Sequence, residues 1–351
     1  GEYMEAWKEF IKLYNSFQYK GIEKSEGVIY HYTSPEGLKG IFDTSSLFAS
    51  DMYFLNDSSE GMYVISLIEE NIDGLCKGNA ELKKYIEKEL RLIKLGKWQE
   101  PIHNYIISFS QNGDSLEMWN YYTKGNSIQG YNIGFDVDKL SSCIRIEILD
   151  DNGSEILRDS GKHLVLYRGK VIYDKEKQMS IIDSIFDTFY QKYVELNNKE
   201  MLSLVAHYIV SKTIDYGLFF KSKEFSIEEE YRFIYATALL DGKNNSEKGI
   251  PFKEQFRIRE GCLIPYQKCL FDMNSVSAVT FSPSLYNEMT EAGLNRLLDQ
   301  CGIMHDNRIK KSNIPLRPFF SIISRPSCSI CAFRPNASLP FWEPAMDWNI
   351  R

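Results

Sequence analysis

The chain has 351 residues, 43% hydrophobic and 25% charged, the composition of a folded globular protein rather than a disordered one. Against 41 Lys and Arg stand 48 Asp and Glu, a net charge of −7. That balance excludes holding duplex nucleic acid by bulk charge alone, though not a local basic groove. Seven cysteines, odd in number and mostly far apart, argue against a disulfide framework and for a reducing cytoplasm.

Cys328 and Cys331 are the one close pair, and without a second pair or a suitably spaced His no metal is expected there. The opening Gly-Glu-Tyr-Met shows neither a basic nor an apolar leader region, so no signal peptide is expected. No uncharged apolar run reaches the roughly 18–20 residues of a spanning helix. The expectation is a soluble, cytoplasmic chain without a membrane partner.

Taken in order, apolar side chains at helical spacing over 4–18 predict an amphipathic N-terminal helix. Val28–Tyr32 is a β-branched and aromatic run, read as a strand. Ser34 as cap and Pro35 at the first helical position then predict a helix whose apolar face is Leu38, Ile41 and Phe42. A short strand at 47–49 leads to the loop 54–60, and 60–95 reads as two helices parted near Asp73-Gly74. Strands follow at 104–110, 129–136 and 143–149, with a hairpin over 164–173 and a helical turn carrying Met118, Trp119 and Tyr122. Two long helical patterns fill 178–220, before strands at 229–238 and 276–281 and a helix at 284–301. With no linker and no repeat, the pattern predicts an α+β fold with a mixed or antiparallel sheet core. Its parts are an N-terminal helix (1–27), one domain (28–318) with a helical insertion (178–220), and an extended tail (319–351).

Four constellations could carry chemistry. His31-Tyr32-Thr33 ends the first strand, and an imidazole can donate from one nitrogen while accepting at the other. Asn56-Asp57 is a turn and cap signal for a helix starting near Glu60; direct ligand contact by Asn56 or Asp57 is the alternative. Ser108 and Ser110, two apart on a strand, share a face and can point together into a cleft. Near them Trp119 or Tyr122 could stack on a flat ring, or be core residues at helical spacing. Glu228 and Glu230 flank Glu229 at the mouth of a strand, where paired carboxylates could stabilise a developing cation. Arg232 continues their face and could neutralise them or grip a phosphate.

These stretches resemble a widespread bacterial family known only as a domain of unknown function. Its order of motifs stands here as His31-Tyr32-Thr33, Leu55 to Glu60, Ser108-Phe109-Ser110, Met118 to Tyr121, Ile133 to Asp136 and Glu228 to Arg232. A late element at Ser312, Ile314, Pro315 and Arg317 also fits. More distantly the order is similar to the ADP-ribosyltransferase plan. That resemblance implies an NAD-consuming transferase or glycohydrolase with NAD as co-substrate and a protein or nucleic-acid acceptor. His31 would bond the ribose hydroxyls. Ser108 or Ser110 would support the acid and the nicotinamide side, and Glu230, helped by Glu228, would hold the nicotinamide ribose as the glycosidic bond breaks. The helical insertion and the tail depart from that plan. Two other classes stay open: a non-catalytic module recognising a nucleotide or peptide in the same cleft, and a phosphotransferase or nuclease acting on RNA. The acidic pair favours the first two over the last, which leans on Arg and His.

Overall fold

The computed structural model describes residues 2–16, 21–55, 60–98, 102–122, 129–147, 164–238, 255–259, 261–303 and 307–315. Asn56, Asp57, Arg317, Cys328 and Cys331 lie outside them. Residues 1–315 make one compact unit.

Helix α1 (Glu2–Ser16) precedes strand β1 (Val28–Thr33). Helix α2 (Pro35–Thr44) opens as its sequence dictates: the Ser34 hydroxyl accepts from the Gly37 N–H at 3.1 Å, and Pro35 stands where no donor is needed. Strand β2 (Ser46–Asp51) runs into a 3-10 turn at Met52–Phe54. Helices α3 (Glu60–Leu75) and α4 (Ala80–Lys94) come next, then β3 (Ile102–Ser110), α5 (Leu116–Tyr122) and β4 (Tyr131–Asp136). Helix α6 (Val137–Cys143) fills the stretch between the strands expected at 129–136 and 143–149, and of the second of these the described residues hold the two-residue β5 (Arg145–Ile146). The Asp136 carboxylate explains the helix, because it accepts from the N–H groups of Asp138 and Lys139.

Over the next stretch β6 (Leu164–Lys170) is a single strand on β7 (Glu230–Ala238), not the expected hairpin. Between them lie α7 (Lys175–Leu196) and α8 (Leu202–Gly217). The chain then forms a hairpin, β8 (Gln255–Arg259) with β9 (Cys262–Leu270), that the sequence reading missed. Strand β10 (Val276–Phe281), α9 (Glu288–Gln300) and β11 (Ile309–Lys311) complete it.

The α+β class and the largely antiparallel sheet hold. The strand order is β11-β10-β4-β1-β3-β2-β9-β5, with β7 on β3, β6 on β7 and β8 on β9. Every strand pair is antiparallel except β10 with β11. One face carries a core of Ile29, Phe109, Phe135, Phe233 and Val279 under α2, α6 and α9. On the other face Ile106 and Ile234 pack against Met52, Leu218 and Phe219. Beyond these, α1, α3, α4, α7 and α8 bury a second core around Phe10, Ile68, Ile86, Phe186 and Ile209. Helices α3 and α8 approach so closely that a β-carbon on Gly217 would lie 2.7 Å from Val64. No helix of the described residues is long and apolar enough to cross a membrane.

One irregularity positions everything that follows. Strand β7 occupies one edge of β3 from Ile102 to Ser110. The opposite edge is shared: β1 meets it only at Tyr30 with Ser110, and β2 only at Ser50 with Ile106 and Asp51 with Tyr105. Strands β1 and β2 therefore diverge, and the edge of β3 between those rungs lies in a fork between them.

Candidate functional site

The ladder decides what Ser108 presents to this fork. The Gln111 N–H donates to the Glu229 carbonyl at 2.8 Å, which makes the alternate pairs Phe109–Tyr231 and Ile107–Phe233 the hydrogen-bonded rungs toward β7. Ser108 then turns its own N–H and carbonyl away from β7, into the fork.

His31 answers that carbonyl. Its Nδ1 lies 3.3 Å from the Ser108 oxygen, and its ring meets Phe109 edge-on at 5.9 Å. A carbonyl oxygen only accepts, so Nδ1 carries the proton and the lone pair of the neutral ring is on Nε2. Among the described residues Nε2 has no hydrogen-bond partner, and the ring is only partly buried. Burial, reinforced by the positive charge of Arg257, depresses the imidazole below its ordinary value of 6.5, and the bond to Ser108 opposes this only in part. The folded protein thus resists a proton that the unfolded chain accepts. Stability should fall as the pH drops below about 6.5, by at most about 1.4 kcal/mol per unit, and level off once the folded ring is protonated. Unfolding titrations of wild type and His31→Gln between pH 5 and 7.5 check this. Parallel curves would show that His31 does not titrate differently on folding.

Ser108 also faces the acid. Its hydroxyl is among the groups that hydrogen-bond the Glu230 carboxylate, so one residue touches His31 with its backbone and Glu230 with its side chain. Glu230 is 4% exposed and closed into an ion pair. Arg232 Nε donates to Oε1 at 2.7 Å, an Arg232 terminal nitrogen donates to Oε2 at 2.9 Å, and Lys221 Nζ stands 3.5 Å from Oε2. Burial alone would raise this carboxyl. The guanidinium and ammonium reverse that and hold it at about 2. Arg232, 2% exposed, also donates to the Leu218 carbonyl at 2.7 Å. Of its two expected roles, neutralising the acids is the one seen.

Glu228 does not share a strand face with Glu230. It ends a 3-10 turn at Lys223–Glu228, and Glu229 takes the left-handed conformation (φ 43°), which breaks the alternation. Lys221 brings the two carboxylates together instead, with Nζ 2.7 Å from Glu228 Oε2.

Tyr32, Thr33, Ser110 and Trp119 are buried. The Tyr32 hydroxyl donates to the Asn112 carbonyl at 2.7 Å and accepts from the Ser115 N–H at 3.0 Å, and burial raises its pKa far above the usual phenol range. The Ser110 hydroxyl donates to the Glu228 carbonyl at 2.8 Å. Trp119 is fully buried edge-on to Tyr32 at 4.7 Å, and its Nε1–H donates to Asp114 at 2.8 Å, which is the core alternative read from its spacing. Asp114 also accepts from the Ser312 hydroxyl at 2.6 Å and the Asn313 N–H at 2.7 Å, tying down the stretch after β11. Tyr122 is half-buried beside Tyr32 and Trp119.

The sequence reading missed Arg257 on β8. It reaches across β9 to donate to the Ser50 hydroxyl at 2.8 Å, on the β2 side of the fork. No group of three or more His, Cys, Asp or Glu among the described residues could hold a metal ion.

Residues 118–233 match the family described as Protein of unknown function (DUF2971). No curated protein and no solved structure matches the chain. The DUF2971 segment runs from Met118 to Phe233, so it contains the Trp119–Tyr122 helix and the Glu228–Arg232 network while His31, Ser108 and Arg257 lie outside it.

Proposed function

We propose that this chain is a nucleotide-binding module whose site is the fork between β1 and β2, with NAD as the reference ligand. The observation that carries the reading is the His31 Nε2 lone pair. The ring is fixed by the Ser108 carbonyl, no described residue uses that lone pair, and the Ser108 N–H faces the same opening. An acceptor and a donor on one edge suit the hydroxyls of a ribose. Glu230 does not take part in this reading as a catalyst, because Arg232, Lys221 and Ser108 already occupy its oxygens.

One observation favours a second reading, cleavage of NAD in the manner of an ADP-ribosyltransferase. Ser108 links the two groups of the transferase plan, its carbonyl bonding the imidazole and its hydroxyl the acid, which stand on opposite faces of the sheet. Glu230 would then have to exchange one of its present partners for the ribose 2′-hydroxyl.

A thermal-shift titration tests both. NAD should raise the melting temperature of wild type through binding linkage, and His31→Ala should abolish the rise while moving the ligand-free temperature little. Absence of a rise with millimolar NAD, ADP-ribose or ATP overturns the nucleotide reading. Turnover of a fluorescent NAD analogue that disappears in Glu230→Gln would replace the binding module by the enzyme.

A further inference from the structure

We infer that Gln267 and Phe256 bind the base of the nucleotide, and that this base carries a hydrogen-bond donor beside an acceptor. The inference rests on the nucleotide reading above and deepens it.

Gln267 is 2% exposed, and its amide nitrogen is buried without a hydrogen-bond partner among the described residues. Buried polar groups are nearly always paired, so an unpaired one marks a place where a partner is expected. Strand alternation gives its direction. On β9 Gln267 shares a face with Cys269, and the two stand opposite Ala49 and Leu47 of β2. Cys269, Ala49 and Leu47 belong to the core that also holds Ile29 and Phe109. His31 is two residues from Ile29 and its ring meets Phe109, so imidazole and amide are on one face of the sheet. Strand β2 pairs with β3 only at Ser50 and Asp51, so Ala49 already belongs to the wall of the fork. At that rung only the methyl group of Ala49 lies between Gln267 and the opening, and a glutamine side chain is long enough to pass over it.

The same face of the β8–β9 hairpin carries an apolar surface. Phe256 is opposite Pro265, two residues before Gln267, which sets it diagonally across from the amide, and it is 57% exposed. Ile258 and Leu263, paired with each other and both exposed, continue that surface outward. An exposed ring beside a buried amide offers a flat heterocycle a face to stack on and an edge to bond. A glutamine amide presents a donor next to an acceptor, so its best partner presents the same pair reversed. Adenine does so with N7 and its amino group, and the carboxamide of nicotinamide does so as well. NAD carries one such edge at each end.

Calorimetry on wild type, Gln267→Met and Phe256→Ala tests the subsite with three dinucleotides: NAD, its analogue with nicotinic acid for nicotinamide, and its analogue with hypoxanthine for adenine. Gln267→Met should weaken NAD by about 10- to 100-fold and leave the ligand-free melting temperature unchanged or higher, since it removes a buried donor that the fold itself does not pair. Phe256→Ala, at an exposed position, should weaken NAD by about 5-fold or more. Wild type should bind one of the two analogues about 10- to 100-fold less tightly than NAD, a readout that needs no variant to fold, and the analogue rejected tells which end of NAD meets Gln267. Gln267→Met should lose that preference. Unchanged NAD affinity in either variant, or equal binding of all three dinucleotides by wild type, overturns the subsite and spares the nucleotide reading. A lower ligand-free melting temperature in Gln267→Met shows an amide bonded within the fold and overturns it too. If wild type binds none of the dinucleotides, both fall.

Discussion

Replacing Arg232 by Met should remove about 3–5 kcal/mol of folding stability, because Glu230 would be left buried with half of its compensating charge gone. The loss should appear in urea unfolding as a lower midpoint at unchanged slope. The double variant Glu230→Met with Arg232→Met should recover most of it. A buried pair repays its own desolvation with difficulty, and an apolar pair of similar volume does as well. Lys221, 6% exposed, would lose one carboxylate partner in the double variant and keep Glu228, so it is not stranded. A single-variant cost under about 1 kcal/mol would mean that water already reaches Glu230. The fork would then include the acid, and the cleavage reading would gain what the binding module loses.

Truncating Trp119 to Ala should cost about 3–5 kcal/mol, the usual range for a buried aromatic side chain. Besides opening a void against Tyr32, it leaves the Asp114 carboxylate one donor short. Trp119→Phe separates the two effects. It keeps most of the packing and loses the indole N–H, a bond to a charged acceptor worth about 1.5–3 kcal/mol. Both variants should bind NAD with wild-type affinity wherever they remain folded. A Trp119→Phe protein of normal stability that no longer responds to NAD would restore the indole as a stacking platform.

How much was legible in the sequence follows the range of each signal. Local signals read well. The apolar run at Val28–Tyr32, the Ser34–Pro35 helix start and the i, i+3 pair Trp119 and Tyr122 each depend on neighbours within one turn or one strand. Helix α6 was within reach, since Asp136 ahead of Val137 is a capping residue, but at seven residues it is too short for a clear helical period and was left between two strands. Arg257 carried no such mark. It meets Ser50 only because the β8–β9 hairpin is carried beside β2 by the pairing of β9 with β2, segments more than 200 residues apart. Glu228 and Glu230 are an intermediate case: their proximity was legible, but its cause, Lys221 and the left-handed Glu229, was not.

The shared edge of β3 has a consequence for how the protein is made. Ser50 pairs with Tyr266, so a ribosome that has released β2 must add more than 200 further residues before that partner exists. At the usual 5–20 residues per second, β2 waits roughly 10–45 s with its outer edge open. Strand β4 waits likewise for β10, whose Phe281 pairs with Tyr131. Helices α3, α4, α7 and α8 emerge during that interval and can pack on one another before β9 exists. The newborn chain is therefore a helical half already packed beside a sheet with bare margins, and during those seconds holdase chaperones have the most to shield.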